Sequence, residues 1–181
     1  MYEPLDTKIV EQTLKLMSFE SLFNDPIYVE FVESAYRSCV PIEFFIQPAS
    51  SSGKYHPGYA LGVGGLVRHT KATLIIAEML FQTTNFSKED EDLVFAALAL
   101  HDIAKPSKLH PVEVKPLLDP LMDDYYDIIK KVLPLIESHM GKWDQFGRLP
   151  QPKTTLQTIV HICDYLASRK NIYIDLDYQE S

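Results

Sequence analysis

An all-α, single-domain helical bundle is the fold class this sequence predicts, and three observations carry the prediction. Apolar residues recur at three- and four-residue spacing through most of the 181-residue chain, the period of a helix with one buried stripe. Helix start signals stand where that periodicity begins. No pair of strand-like segments interrupts residues 60 to 170, and the length suits one domain at the usual ~100–200 residues each.

The elements follow in order. "DTKIVEQTLKLMS" and "DPIYVEFVESAYRSC" are two amphipathic helices, and the segment 1–53 that holds them is expected to pack on a core formed by 54–181. "VPIEFFIQPASSSGKYHPGYALGVGG" carries prolines, glycines and a serine cluster, so it reads as a long connection, with a short extended piece at Ile42 to Gln47. Long loops in compact domains tend to be functional. "GLVRHTKATLIIAEMLFQT" is the next helix. "SKEDEDLVFAALALHD" opens on Ser87 as N-cap with Asp90 at the capping-box position, and its first carboxylates face the positive end of the helix dipole. In "DPLMDDYYDIIKKVLPLIESHM", Pro134 is expected to bend the last turns, because it has no N–H and crowds the preceding carbonyl. "TTLQTIVHICDYLASRKN" opens with Thr154 and Gln157 in a capping-box arrangement.

Composition narrows the function. No apolar run approaches the ~18–20 residues that cross a bilayer, and the N-terminus lacks a signal-peptide layout, so a cytoplasmic protein that engages no membrane is expected. Cys39 and Cys163 make no disulfide framework and are expected to be reduced and buried. A net charge of −8 argues against long duplex nucleic acid as a partner. Locally the balance reverses: "GKWDQFGRLPQPK" holds Lys142, Arg148 and Lys153 against Asp144 alone.

The histidines and two aspartates suggest the chemistry. His69 opens a helix behind two glycines, His101 and Asp102 close the next, His139 closes another, and Asp164 sits one turn after His161 on the last. Each alone would serve as a helix cap or a satisfied core residue. Helix ends meet in space, however, and imidazole and carboxylate groups from separate helices are what a bundle supplies to an internal divalent ion: manganese, iron, cobalt, nickel or zinc. The adjacent pair His101 and Asp102 can reach one ion only where the helix breaks, and Lys105 with Pro106 supplies that break.

Four motifs in order, "GGLVRHT", "ALHDIAK", "ESHMGKW" and "PKTTLQTIVHICDYLAS", resemble those of the HD-domain metal-dependent phosphohydrolase superfamily over about Lys54 to Lys170. The glycine pair and the tail motifs look most like the HD domains of 3′–5′ exoribonucleases. The resemblance implies an HD-type helical bundle in which His69, His101, Asp102 and Asp164 hold a primary metal. Asp102 would bridge to a second ion that His110 and His139 hold in two-metal members. His110 stands only eight residues past Asp102, and "SHM" has one histidine where some relatives have two. His161 either lines the site or packs. Lys105 matches the family's phosphate-neutralising lysine, although its position also suits a cation at a helix C-terminus.

The implied function is hydrolysis of a phosphoester bond in a nucleotide or a short single-stranded nucleic acid. A divalent ion acidifies water and polarises a phosphoryl oxygen, so no protein nucleophile is required. The alternative is a non-catalytic HD module that binds a nucleotide or a partner protein in a regulatory role. Substrate would be read by Lys142, Trp143 and Arg148, with Phe146 and Lys153 beside them, because aromatic faces stack on bases and cations hold phosphates. Trp143 could instead anchor the core. A second candidate is the long connection, folded over the metal mouth to bring His56 or Tyr55 to the phosphate.

Overall fold

The computed structural model describes residues 7–50 and 53–172. Asp6, which opens the first expected helix, part of the serine cluster at 51–52, and the end of the expected 54–181 core at 173–181 lie outside the described residues. Eight α-helices follow one another: α1 Thr7–Met17, α2 Pro26–Ser38, α3 Ile42–Ile46, α4 Gly65–Phe81, α5 Lys88–Leu100, α6 His110–Leu118, α7 Met122–Ser138 and α8 Thr155–Ala167. No strand occurs among the described residues, so the all-α bundle is the observed class. None of these helices is long and apolar enough to cross a membrane.

The caps show why the helices begin where they do. Asp25 accepts from the Ile27 N–H at the start of α2, and Ser87 accepts from the Asp90 N–H at the start of α5. The α5 box is modified: the Ser87 hydroxyl donates to the Asp90 carboxylate at 2.7 Å. At α8 the full reciprocal box forms between Thr154 and Gln157. The Gln157 side chain also donates to the Pro134 carbonyl at 3.0 Å, tying α8 to α7.

Three expectations need correction. Ile42 to Gln47 is not extended: Phe44 and Phe45 bury one face of a short helix, α3, that follows Pro41 as N-cap. In α7 the non-helical backbone falls at Tyr125 (φ −129°, ψ 29°), not at Pro134. Pro134 sits four residues before the end of a helix whose Val132, Leu133, Leu135 and Ile136 are buried, and that packing holds the helix through it. Helix α6 was not among the expected elements; Pro111 stands in its first turn, where its missing N–H has no intrahelical partner to lose. Cys163 is buried, but Cys39 is only partly so; both are free thiols.

One hydrophobic cluster runs from Val10 and Phe31 through Leu66, Leu98 and Ile129 to Val160. Helix α5 lies at its centre, with ten of its residues buried from Glu91 to Leu100. The N-terminal helices attach to it by polar bonds as well: the Tyr36 hydroxyl, wholly buried on α2, donates to the Ala99 carbonyl at 2.9 Å, and Lys71 Nζ donates to the Met17 carbonyl at 2.9 Å. Burial pushes the Tyr36 phenol far above its ordinary range, so it remains a donor. The C-terminal ends of α5 and α7 then open, with the start of α6 and the middle of α4 and α8, onto one shared space.

Candidate metal centre

Side chains from five helices or helix ends meet in that space. His69 comes from the second turn of α4, His101 is the C-cap of α5, Asp102 follows it, His110 is the first residue of α6, His139 is the C-cap of α7, and Asp164 lies on α8. All six are buried. His69 Nε2 is 2.9 Å from Asp164 Oδ1 and 3.7 Å from Asp102 Oδ2. His101 Nε2 is 3.3 Å from Asp102 Oδ2 and 3.8 Å from Asp164 Oδ1. On the other carboxylate oxygen, Asp102 Oδ1 lies 2.9 Å from His110 Nε2 and 3.7 Å from His139 Nε2.

Backbone carbonyls decide the tautomers. His101 Nδ1 is 2.7 Å from the Leu98 carbonyl, His110 Nδ1 is 2.8 Å from that of Ser107, and His139 Nδ1 is 2.7 Å from that of Ile136. A carbonyl can only accept, so each Nδ1 carries a hydrogen and each ring turns its Nε2 inward. Second-neighbour donation of this kind orients metal-binding imidazoles. Helix termini make it: each ring reaches the carbonyl three residues back, one of the carbonyls a helix end leaves without an N–H partner.

The resulting set of acceptors lacks donors. His110 Nε2 and His139 Nε2 face each other at 3.3 Å, and burial pushes the His139 imidazole down, which keeps it neutral. His101 Nε2 and Asp102 Oδ1 are buried with no hydrogen-bond partner. Burial would raise both carboxyls, but the cationic neighbours outweigh it: His101 and Lys105 hold Asp102 well below the usual carboxylate range, and His69 with His101 does the same for Asp164. A cation is the group that satisfies such an arrangement. Two overlapping groups, His69–His101–Asp164 and His101–Asp102–His139, each bring their ligand atoms within 4.8 Å of one another and could hold an ion. Distances near 2.0–2.2 Å from a divalent ion to nitrogen and oxygen put neighbouring ligands in that range. The donor set, imidazole with carboxylate, suits a transition metal.

Lys105 Nζ reaches Asp102 Oδ2 at 2.6 Å and also lines a cleft of about 500 Å³. His110, Trp143, Phe146 and Arg148 line the same cleft, which places part of the sequence-derived substrate loop beside the site. Lys142 is exposed and does not line it. The loop is built around Asp144, whose carboxylate accepts from the backbone N–H groups of Phe146, Arg148 and Leu149 and pairs with the Arg148 guanidinium at 3.0 Å. That guanidinium lies 5.0 Å from the centre of the Phe146 ring. Trp143 is neither a core anchor nor a free platform: 37% exposed, it rests on His161 at 4.6 Å between ring centres. The His161 Nδ1 donates to the His139 carbonyl at 2.7 Å, and His161 belongs to neither of the two groups that could hold an ion. The long connection does fold over the mouth, with the His56 ring 5.5 Å from that of His69. Burial, then the charges of His69 and Lys105, push His56 down to about 4.

The family model described as HD domain matches residues 66–169, which includes the six converging residues. No curated protein and no solved structure matches the chain at the significance required. More than half of the chain is covered by that one model, and the chain belongs to the HD-domain family, within the metal-dependent phosphohydrolase superfamily.

Proposed function

We propose that this protein hydrolyses a phosphoester bond of a nucleotide or a short single-stranded nucleic acid, with His69, His101, Asp102 and Asp164 as ligands of a divalent transition metal. His110 and His139 take a second ion on the Oδ1 side of Asp102. The observation that carries the reading is the partnerless acceptor set, His101 Nε2 and Asp102 Oδ1 with the facing His110 and His139 nitrogens, placed beside a cleft that a lysine shares. The resemblance of "GGLVRHT" and "PKTTLQTIVHICDYLAS" to exoribonuclease HD domains supports the nucleic-acid side of it.

When bound, the metal supplies an acidified water and an electrophile for a phosphoryl oxygen. The chain's own groups do the rest. Lys105 touches both the buried carboxylate and the cleft, so its ammonium can sit against a phosphate oxygen, where charge spreads as the phosphoryl group transfers. Phe146 and Arg148 form the cleft wall that would hold the base and a flanking phosphate, while Lys142 contributes charge from outside it. The helix-end carbonyls of Leu98, Ser107 and Ile136 keep three imidazoles in register without further adjustment on binding.

The test is an assay of protein purified without chelator, with manganese added, against mononucleotides, cyclic nucleotides, short single-stranded RNA and DNA, and bis(p-nitrophenyl) phosphate. Turnover that chelator abolishes and metal restores is expected. Metal binding with no turnover on any of these would overturn the enzymatic reading in favour of a regulatory HD module.

A further inference from the structure

Beside the cleft, and sharing Trp143 with it, a second group of aromatic and cationic side chains lies across the mouth of the site. Lys54 Nζ sits 5.0 Å from the centre of the Tyr55 ring, and the Arg169 guanidinium lies 5.7 Å from Tyr55 and 4.2 Å from Tyr165. Tyr165 in turn stacks on Trp143, with centres 5.9 Å apart and planes 27° apart. The result is a continuous row, Lys54, Tyr55, Arg169, Tyr165 and Trp143. Its three rings stay 54%, 38% and 37% exposed, which leaves their faces accessible to a ligand. Residues more than a hundred positions apart meet here because the Tyr59 hydroxyl donates to the Ala167 carbonyl at 2.9 Å, pinning the long connection to the end of α8.

The row runs alongside the metal centre. Tyr165 follows Asp164, His56 next to Tyr55 touches the His69 ring, and Trp143 rests on His161, which holds the His139 carbonyl. We propose that this row is a binding rail for the non-reacting part of a single-stranded nucleic acid, so that the preferred substrate is an oligonucleotide rather than a mononucleotide. The inference rests on the phosphohydrolase reading for the word substrate, but the rail's binding does not require turnover. Aromatic faces stack on any base, which makes such a surface tolerant of sequence. Arg169 Nε donates to the Tyr165 carbonyl at 3.4 Å, and its terminal Nη groups are the donors for a phosphate oxygen. A mononucleotide bound at the metal would occupy the cleft, which Trp143 lines, and leave Tyr55 and Tyr165 uncovered, whereas a strand covers them. Residues 1–53 carry eight acids against three cations, so that segment offers a polyanion little attraction.

The experiment measures the affinity of full-length Asp102→Asn protein, which cannot degrade the strand, for labelled oligouridylate and oligothymidylate of about eight nucleotides, a length within the usual span of such surfaces. Tyr55→Ala and Arg169→Ala in that background are expected to weaken both strands by roughly tenfold, from the stacking lost per base. Tyr55→Phe should bind as the parent does, because the ring face is kept. Arg169→Ala should also reduce the salt slope by about one. Uridine monophosphate affinity should not change with either alanine variant. Loss confined to oligouridylate would support the rail and identify RNA as its ligand. Parent protein that binds neither strand, or alanine variants that bind both as well as the parent, would overturn the proposal. If the rail variants weaken binding as expected while metal-loaded wild-type protein turns over nothing, the rail stands and the hydrolase reading falls.

Discussion

Asp102 does at one residue what the centre needs from several. Its two carboxylate oxygens divide the four histidines into two pairs, one facing His69 and His101 and the other facing His110 and His139. Asp102→Asn keeps the shape and removes the charge. It is expected to lower turnover by at least roughly a hundredfold, because loss of even an outer partner of a ligand costs about 10–100-fold, and to leave helix content intact by circular dichroism. His110→Ala and His139→Ala should each lower the ion count per chain from two towards one, whereas His69→Ala should disturb the primary ion. Elemental analysis separates these outcomes. Tyr28 offers a test unconnected with metal. Burial, then Glu89, Asp92 and Asp25, push its phenol up to about 12. A group raised in the folded state contributes stability that is complete below its unfolded pKa near 10 and is lost as pH rises through the folded value. The melting temperature should therefore fall between pH 10 and 12, and fall less in Tyr28→Phe. At this scale the sequence was informative for the site and not for the rail: His101 and Asp102 stand out as polar residues ending an apolar run, but nothing in the chain order links Tyr55 to Tyr165 and Arg169. That link is made by a hydrogen bond from Tyr59, whose partner is 108 residues away.

Among elements, α8 was the most legible because its start is specified twice, by Thr154 and by Gln157. Thr154→Ala removes one half of the box, and the expected cost is about 1 kcal/mol, or a melting temperature lower by roughly 2–4 °C in a chain of this size. α3 was read as part of a proline- and glycine-rich connection, yet Pro41 is its N-cap; α6 was not anticipated, and it holds Pro111 in its first turn and Pro116 in its interior. The substrate loop depends on Gly141, where an added Cβ would run into the Pro150 carbonyl, and on the Gln151 side chain that donates to the Gly141 carbonyl. Gly141→Ala should displace the segment from Trp143 to Leu149 and raise KM more than it lowers kcat, since that segment would bind the substrate without touching the metal. Steady-state kinetics on an oligonucleotide and on bis(p-nitrophenyl) phosphate measures the difference.

Across the whole molecule the helices separate charge along their length. α5, about 20 Å long, carries Glu89, Asp90 and Glu91 at its start and the metal centre at its end; α7 repeats this with Asp123, Asp124 and Asp127 at its start and His139 at its C-cap. Acids stabilise the positive ends of these helices, while the negative C-terminal ends favour a cation between them. We propose that segments 1–53 and 54–181 form one cooperative unit, because Phe31 packs on Tyr125 with ring centres 5.4 Å apart and Tyr36 is bonded to Ala99. A chain lacking 1–53 should show no cooperative thermal transition, where the full chain shows one. The central claim is that the buried acceptors surround a functional divalent metal. The most direct measurement is elemental analysis of wild-type and Asp102→Asn protein, purified without chelator and paired with turnover in added manganese. The expected result is at least one transition-metal ion per wild-type chain, a large loss of metal in the variant, and activity that follows metal content. Wild-type protein that neither retains nor takes up a divalent ion would contradict the account.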